Sequence, residues 1–185
     1  MSDFFKKIFA PLTPETAREN KYFVVSGVLC VLMIALDQWT KIIIERSFAL
    51  YQSKTVIENF FSLVYVTNKG AAWGILSGKW YILLGIAAAA LVFCIFFFRK
   101  ITENYPEIFI ALSLLVSGII GNSIDRIWRG EVVDFLDFYI KSGEKFIHWP
   151  AFNVGDIAIC CGVGIYILSN FLRPEKKEAA AANKD

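Results

Sequence analysis

Asp134 and Asp156 each stand beside a membrane-length apolar segment, and each sits in a short polar cluster. The first cluster is Gly121-Asn122-Ser123-Ile124-Asp125-Arg126, followed by Val132-Val133-Asp134-Phe135; the second is Phe152-Asn153-Val154-Gly155-Asp156. Carboxylates near a bilayer are costly to keep charged and mark functional sites by default. Two of them face to face in a poorly solvated site cannot easily both ionise, so they share a proton. One can then take a proton from water while the other gives one to a carbonyl or a leaving amine. That chemistry hydrolyses a peptide with no covalent intermediate, metal or cofactor. Each residue also has a plainer reading: Asp134 as an exposed loop carboxylate, Asp156 as the N-cap of a helix that follows it.

Other polar residues fall at helical spacing. Asp37 and Lys41 are four apart and stack on one helix face, as a self-neutralising pair, as part of an ordered site, or as both. Asn122, Asp125 and Arg126 share another face. Asp125 can pair with Arg126 or Arg129, and an arginine beside an aspartate keeps it ionised, which suits a structural anchor better than a general acid. His148 is the single histidine, so a serine–histidine–aspartate triad has one possible base. No Gly-x-Ser-x-Gly elbow accompanies it, and a surface hydrogen-bonding role is the simpler reading. Cys30, Cys94, Cys160 and Cys161 show no CxxC spacing and no histidine partner, so a metal site has no support and buried packing thiols are expected.

The elements that must carry these residues are membrane helices. Of the 185 residues, 56 % are hydrophobic and the mean hydropathy is +0.52, against roughly 45–50 % apolar in soluble domains. The excess is concentrated in four blocks: Tyr22 to Ile44 (interrupted by Asp37 and Lys41), Trp80 to Phe98, Ile108 to Ile124 and Ile157 to Leu172. Since about 20 residues cross the hydrocarbon core, the expectation is an α-helical integral membrane protein with four transmembrane helices. Gly118, Gly121, Gly155, Gly162 and Gly164 are expected at close helix contacts. Between helices one and two, Val56 to Thr67 is rich in β-branched and aromatic residues, reads as one or two short strands and ends at a turn signal, Asn68-Lys69-Gly70. This predicts a small extracytoplasmic β platform at about 46–78. Between helices three and four, the charged and aromatic segment from Asp125 to Gly155 is expected on the membrane surface.

The expected layout is an amino-terminal extension over 1–20, a membrane domain over 21–172 and a low-complexity tail over 173–185. No small-residue cleavage site closes the first block, so it does not read as a cleavable signal peptide. Four basic residues precede the first helix (Lys6, Lys7, Arg18 and Lys21), which places both termini in the cytosol. A net charge of +2 gives no sign of a nucleic-acid partner.

Five ordered motifs carry a family likeness: Asp37-Gln38-x-x-Lys41, Thr67-Asn68-x-Gly70-Ala71-Ala72-x-Gly74, Gly121-Asn122-x-x-Asp125-Arg126, Val132-Val133-Asp134-Phe135 and Phe152-Asn153-x-x-Asp156. From about Tyr22 to Leu172 the chain resembles the bacterial lipoprotein signal peptidases, or signal peptidase II family. The resemblance implies a four-helix inner-membrane aspartyl endopeptidase, with both termini cytosolic, that cuts diacylglyceryl-modified prolipoproteins just before the lipidated cysteine. It further implies inhibition by cyclic peptides of the globomycin type. If the chain takes such a lipidated substrate, Phe135 to Trp149 would close over the peptide together with the β platform, as a lid. Matched position by position, the catalytic pair falls on Asp134 and Asp156. Asn68, Asn122, Arg126 and Asn153 fall on residues around the substrate backbone and inhibitor, and Asp37 and Lys41 on the pair that orders the site. No cofactor is implied; membrane lipid surrounds the chain, and a monomer is expected.

The chain departs from the family pattern at Gly155, where alanine is usual, through a longer interval between the two aspartates at Lys141 to Lys145, and in its longer amino-terminal extension. Other readings of the same carboxylates are a presenilin-like intramembrane protease, a small transporter or proton conduit, and a membrane scaffold. Val154-Gly155-Asp156 lacks the first glycine of the presenilin-like motif, no inverted repeat supports transport, and a scaffold leaves the carboxylates unexplained.

Overall fold

The computed structural model describes residues 14–71, 75–102 and 105–172. Most of the expected amino-terminal extension, part of the Asn68–Gly74 motif and the tail lie outside the described residues. Helix α1 spans Pro14–Ser47, strands β1 and β2 span Ser53–Ile57 and Phe61–Asn68, and α2 spans Trp80–Thr102. Then come α3 (Pro106–Trp128), β3 (Val132–Ser142), β4 (Lys145–His148) and α4 (Val154–Leu172).

All four helices contain a span long and apolar enough to cross a bilayer: Lys21–Ser47, Trp80–Phe98, Pro106–Trp128 and Val154–Leu172. Helix α1 begins at Pro14, inside the stretch expected as an extension. At 34 residues it is roughly 50 Å long, well beyond the hydrocarbon thickness of about 30 Å, so one end projects into water. Helix α3 is the centre of the bundle. Half of its apolar window is buried, and it packs on α1, α2 and α4. The outer helices turn Val31, Phe96 and Phe171 outward, the inside-out pattern expected where lipid is the solvent.

Small and hydroxylated residues let these helices approach. Ser26 on α1 donates to the Phe109 carbonyl of α3 at 3.1 Å and hydrogen-bonds the Ser113 hydroxyl. Gly118, Gly121, Gly155 and Gly162 sit at contacts where a side chain would collide or press on its neighbours, whereas Gly164 faces open space and does not serve helix contact. Cys94 is buried and Cys30 partly so, while Cys160 and Cys161 face outward. The expectation of buried thiols therefore fails for that last pair, which an apolar helix in lipid tolerates as small hydrophobes.

The strands form one antiparallel sheet in the order β1-β2-β3-β4. The platform foreseen between α1 and α2 is thus only half of it. The segment expected to lie on the membrane surface supplies the other half, with β3 pairing to β2 in the register Phe61↔Phe138, Leu63↔Leu136 and Val66↔Asp134. Aromatic residues hidden among charges masked this strand. Phe138 stacks between Phe61 and Phe152, with ring centroids at 4.7 and 5.7 Å. Val133 and Phe135 are buried against Ile44 of α1 and tie the sheet to the bundle. A lid beginning at Phe135 is therefore not what the fold shows, because that residue is core.

Candidate active site

Strand alternation sets the first carboxylate. Val133 and Phe135 occupy the core-facing side of β3, so Asp134 between them points the other way. It is only 4 % exposed. Asp156 sits in the first turn of α4, but Asn153 rather than Asp156 is the N-cap. The Asn153 side-chain oxygen accepts the Asp156 backbone N–H at 3.0 Å, and Asp156 Oδ2 accepts the Asn153 N–H at 3.2 Å. This reciprocal pair satisfies two orphan donors at the helix start and fixes the Asp156 carboxylate. The same Asn153 donates through Nδ2 to Asp134 Oδ1 at 2.7 Å. One buried asparagine thus bridges the two aspartates.

Further donors complete the pair. Asn122 Nδ2 reaches Asp156 Oδ1 at 2.8 Å, and the Asn68 side chain bonds Asp134. Burial is the main reason that the Asp134 carboxyl is pushed up to about 7, and the charge of Asp156 adds to it. Hydrogen bonds from Asn153 and Asn68 and the charge of Lys41 pull the other way. Arg126 lies at the margin, donating from Nη1 to the Asn122 carbonyl at 3.1 Å and from Nη2 to the Gly70 carbonyl at 3.0 Å. Its buried Nε has no hydrogen-bond partner among the described residues.

Behind the pair lies a buried ionic cluster. Lys41 Nζ is 2.8 Å from both Asp37 Oδ2 and Asp125 Oδ2 and 3.0 Å from Asn122 Oδ1, so all three ammonium protons have acceptors. Asp37 Oδ1 accepts the backbone N–H of Gly155 at 2.7 Å, which ties α1 to the start of α4. Asp125 takes Arg129 at 2.8 Å and the Val133 N–H at 3.2 Å, positioning the strand that carries Asp134. Its partner is Arg129 and not Arg126. Asp37–Lys41 is an intrahelical pair that also contacts α3 and α4, and Asp125 joins the same network.

Two contributors were not foreseen. Gln38 Nε2 lies within 3.1 Å of Asp37 Oδ2, the Gly121 carbonyl and Asp125 Oδ1. Glu45 takes Arg129 through both oxygens at 2.7 and 2.8 Å. The Glu45 signal was present, since Asp37, Lys41 and Glu45 repeat every four residues on one face of α1. His148 is a surface residue, paired with Asp137 at 2.9 Å. Above Asp134 opens a cleft of about 590 Å³, lined by Leu50, Tyr51, Asn68, Pro150 and Ala151 among others.

The fold is that of a multi-pass membrane protein with four apolar helices and a small sheet, and its site brings a buried Asp134 and a partly buried Asp156 together through Asn153. The profile of the signal peptidase (SPase) II family matches residues 29–172. The lipoprotein signal peptidase of Syntrophotalea carbinolica is 44 % identical over 147 residues, covering 78 % of this chain and 89 % of that protein. That of Geobacter metallireducens is 39 % identical over 156 residues, covering 83 % and 93 %. A bacterial membrane enzyme solved by the in meso method at 2.3 Å resolution superposes with a TM-score of 0.72 at 36 % identity, covering 80 % of this chain and 87 % of the other. The chain belongs to the signal peptidase II family and is an aspartic-type peptidase of a bacterial membrane.

Proposed function

We propose that the protein removes signal peptides from diacylglyceryl-modified prolipoproteins, cutting just before the lipidated cysteine, with Asp134 and Asp156 as the catalytic pair. The observation that carries this reading is the Asn153 bridge, which holds the buried Asp134 and the partly buried Asp156 in one hydrogen-bonded unit, with Asp134 on the wall of a cleft. Asp134 keeps its proton up to about pH 7 and acts as the acid toward the scissile carbonyl oxygen. Asp156, whose two oxygens each accept a hydrogen bond, takes a proton from the attacking water. The tetrahedral intermediate then collapses as a proton passes to the leaving amine. Asn68, Asn122 and Asn153 hold the carboxylates and meet the substrate backbone, while the unpartnered Nε of Arg126 is free to donate to a peptide carbonyl. Asp37, Lys41 and Asp125 order the three elements that converge here.

The acyl chains of the substrate stay in lipid beside the bundle, which is exposed and apolar on its outer faces. Both termini lie in the cytosol and the sheet lies on the extracytoplasmic side of the inner membrane, in keeping with the basic residues that precede α1. The enzyme acts as a monomer without a cofactor, and a cyclic peptide of the globomycin type competes for the cleft. Mass analysis of the products from a diacylated lipobox peptide and its unlipidated twin tests the reading. A single cut before the cysteine, in the lipidated peptide alone, is expected; cutting elsewhere, or equal cutting of both, contradicts it.

A further inference from the structure

Tyr51 combines two features that stability does not explain. Its backbone is left-handed, with φ of 66°, a conformation that side chains with a Cβ disfavour. The residue is nonetheless 73 % exposed, so no buried packing compensates for that strain. Strained residues held by their surroundings cluster at functional sites. The surroundings are plain: the Tyr51 N–H donates to the Tyr65 carbonyl at 2.7 Å, and the Tyr65 N–H returns to the Gln52 carbonyl at 3.0 Å. These bonds pin the β1–β2 edge and present Tyr51 to the cleft that also contains Asp134.

We propose that Tyr51 is a specificity-determining residue, the wall of a subsite for the substrate residues that follow the lipidated cysteine. The inference rests on the prolipoprotein reading. The acyl chains and the hydrophobic signal segment of such a substrate both belong in lipid, so the hydrophilic chain after the cysteine is the part that leads out of the membrane. The cleft walls come from the extramembrane sheet and its connections: Leu50 and Tyr51 before β1, Val66 and Asn68 on β2, Pro150 and Ala151 between β4 and α4. An exposed aromatic ring gives an extended peptide an apolar surface with few torsions to freeze.

The test uses the purified full-length enzyme and two diacylated lipobox peptides, one ending a residue after the cysteine and one extended by several residues. Wild type is expected to favour the extended peptide through a lower KM. Tyr51→Gly and Tyr51→Ala are both expected to reduce that preference by about tenfold. Glycine tolerates the left-handed backbone, so its melting temperature is expected to equal or exceed that of wild type. Retention of the preference in both variants overturns the proposal. Loss in Tyr51→Gly but not in Tyr51→Ala also overturns it, because the effect then belongs to a loosened backbone. A wild type that cleaves neither peptide sinks the prolipoprotein reading itself, a distinct outcome.

Discussion

Asn153 donates its side-chain N–H to Asp134 at 2.7 Å while its carbonyl oxygen caps the helix that carries Asp156. The two tasks separate by substitution. Serine keeps a cap but cannot reach Asp134 as the longer amide does. Asn153→Ser is expected to change helix stability by less than about 1 kcal/mol, yet to lower kcat by about tenfold or more because one aspartate loses its fixed position. Thermal melts beside single-turnover rates check the split.

The raised Asp134 carboxyl predicts a pH dependence with a definite sign. The unfolded chain releases this proton near about pH 4, whereas the folded protein holds it to about pH 7. Between those values the folded state binds more protons, so this residue's contribution makes stability fall as pH rises and level off above about 7. Asp134→Asn removes that slope. Activity follows the same proton, and kcat/KM is expected to decline above about pH 7 as the acid is lost. Denaturation of wild type and Asp134→Asn in matched detergent, across pH 4–8, checks the first effect.

Lys41 is ion-paired with both Asp37 and Asp125, the latter shared with Arg129, and Lys41, Asp37 and Asp125 are at most 1 % exposed. Removing one partner of a buried ion pair leaves an uncompensated charge, at a cost of about 3–5 kcal/mol. Lys41→Met is expected to reach that range. Glu45→Gln, at the partly exposed edge of the same network, is expected to cost under about 1 kcal/mol.

Glycines at the joint between α3 and α4 are predicted to differ sharply. A methyl group at Gly118 would run into the carbonyl oxygen of Gly155, which is backbone and cannot yield. Gly118→Ala is therefore expected to cost about 1–3 kcal/mol and to impair turnover by displacing the helix that carries Asp156. At Gly155 the same methyl would lie 3.1–3.2 Å from side-chain oxygens of Asn153, Asn122 and Asp37, which shifts of a few tenths of an ångström relieve. Gly155→Ala is expected to stay within about 1 kcal/mol of wild type.

The bundle was legible because lipid demands unbroken apolar runs, and all four blocks became helices. The polar residues were legible as candidates for a related reason: Asp37, Lys41, Asn122 and Asp125 interrupt or end those runs, and the structure gathers them. The strand carrying Asp134 was harder to see. Its residues are buried on both faces from Val132 to Phe135, so the period-two signal vanishes where it matters most. The double duty of Asn153 depends on a long-range bond to β3, which no local pattern encodes. Gln38 was not given a role because two of its three acceptors, the Gly121 carbonyl and Asp125, lie more than 80 positions away.

Turnover of a diacylated lipobox peptide by wild type, Asp134→Asn, Asp156→Asn and Asp125→Asn, with chelator present throughout, tests the central claim most directly. The first two variants are expected to remain folded and lose about 10²–10⁴-fold in rate, the range of a lost general acid or base. Asp125→Asn is expected to keep a measurable rate, since that carboxylate anchors Lys41, Arg129 and β3 rather than the reaction. An inert wild type, or a rate abolished by Asp125→Asn alone, contradicts the account.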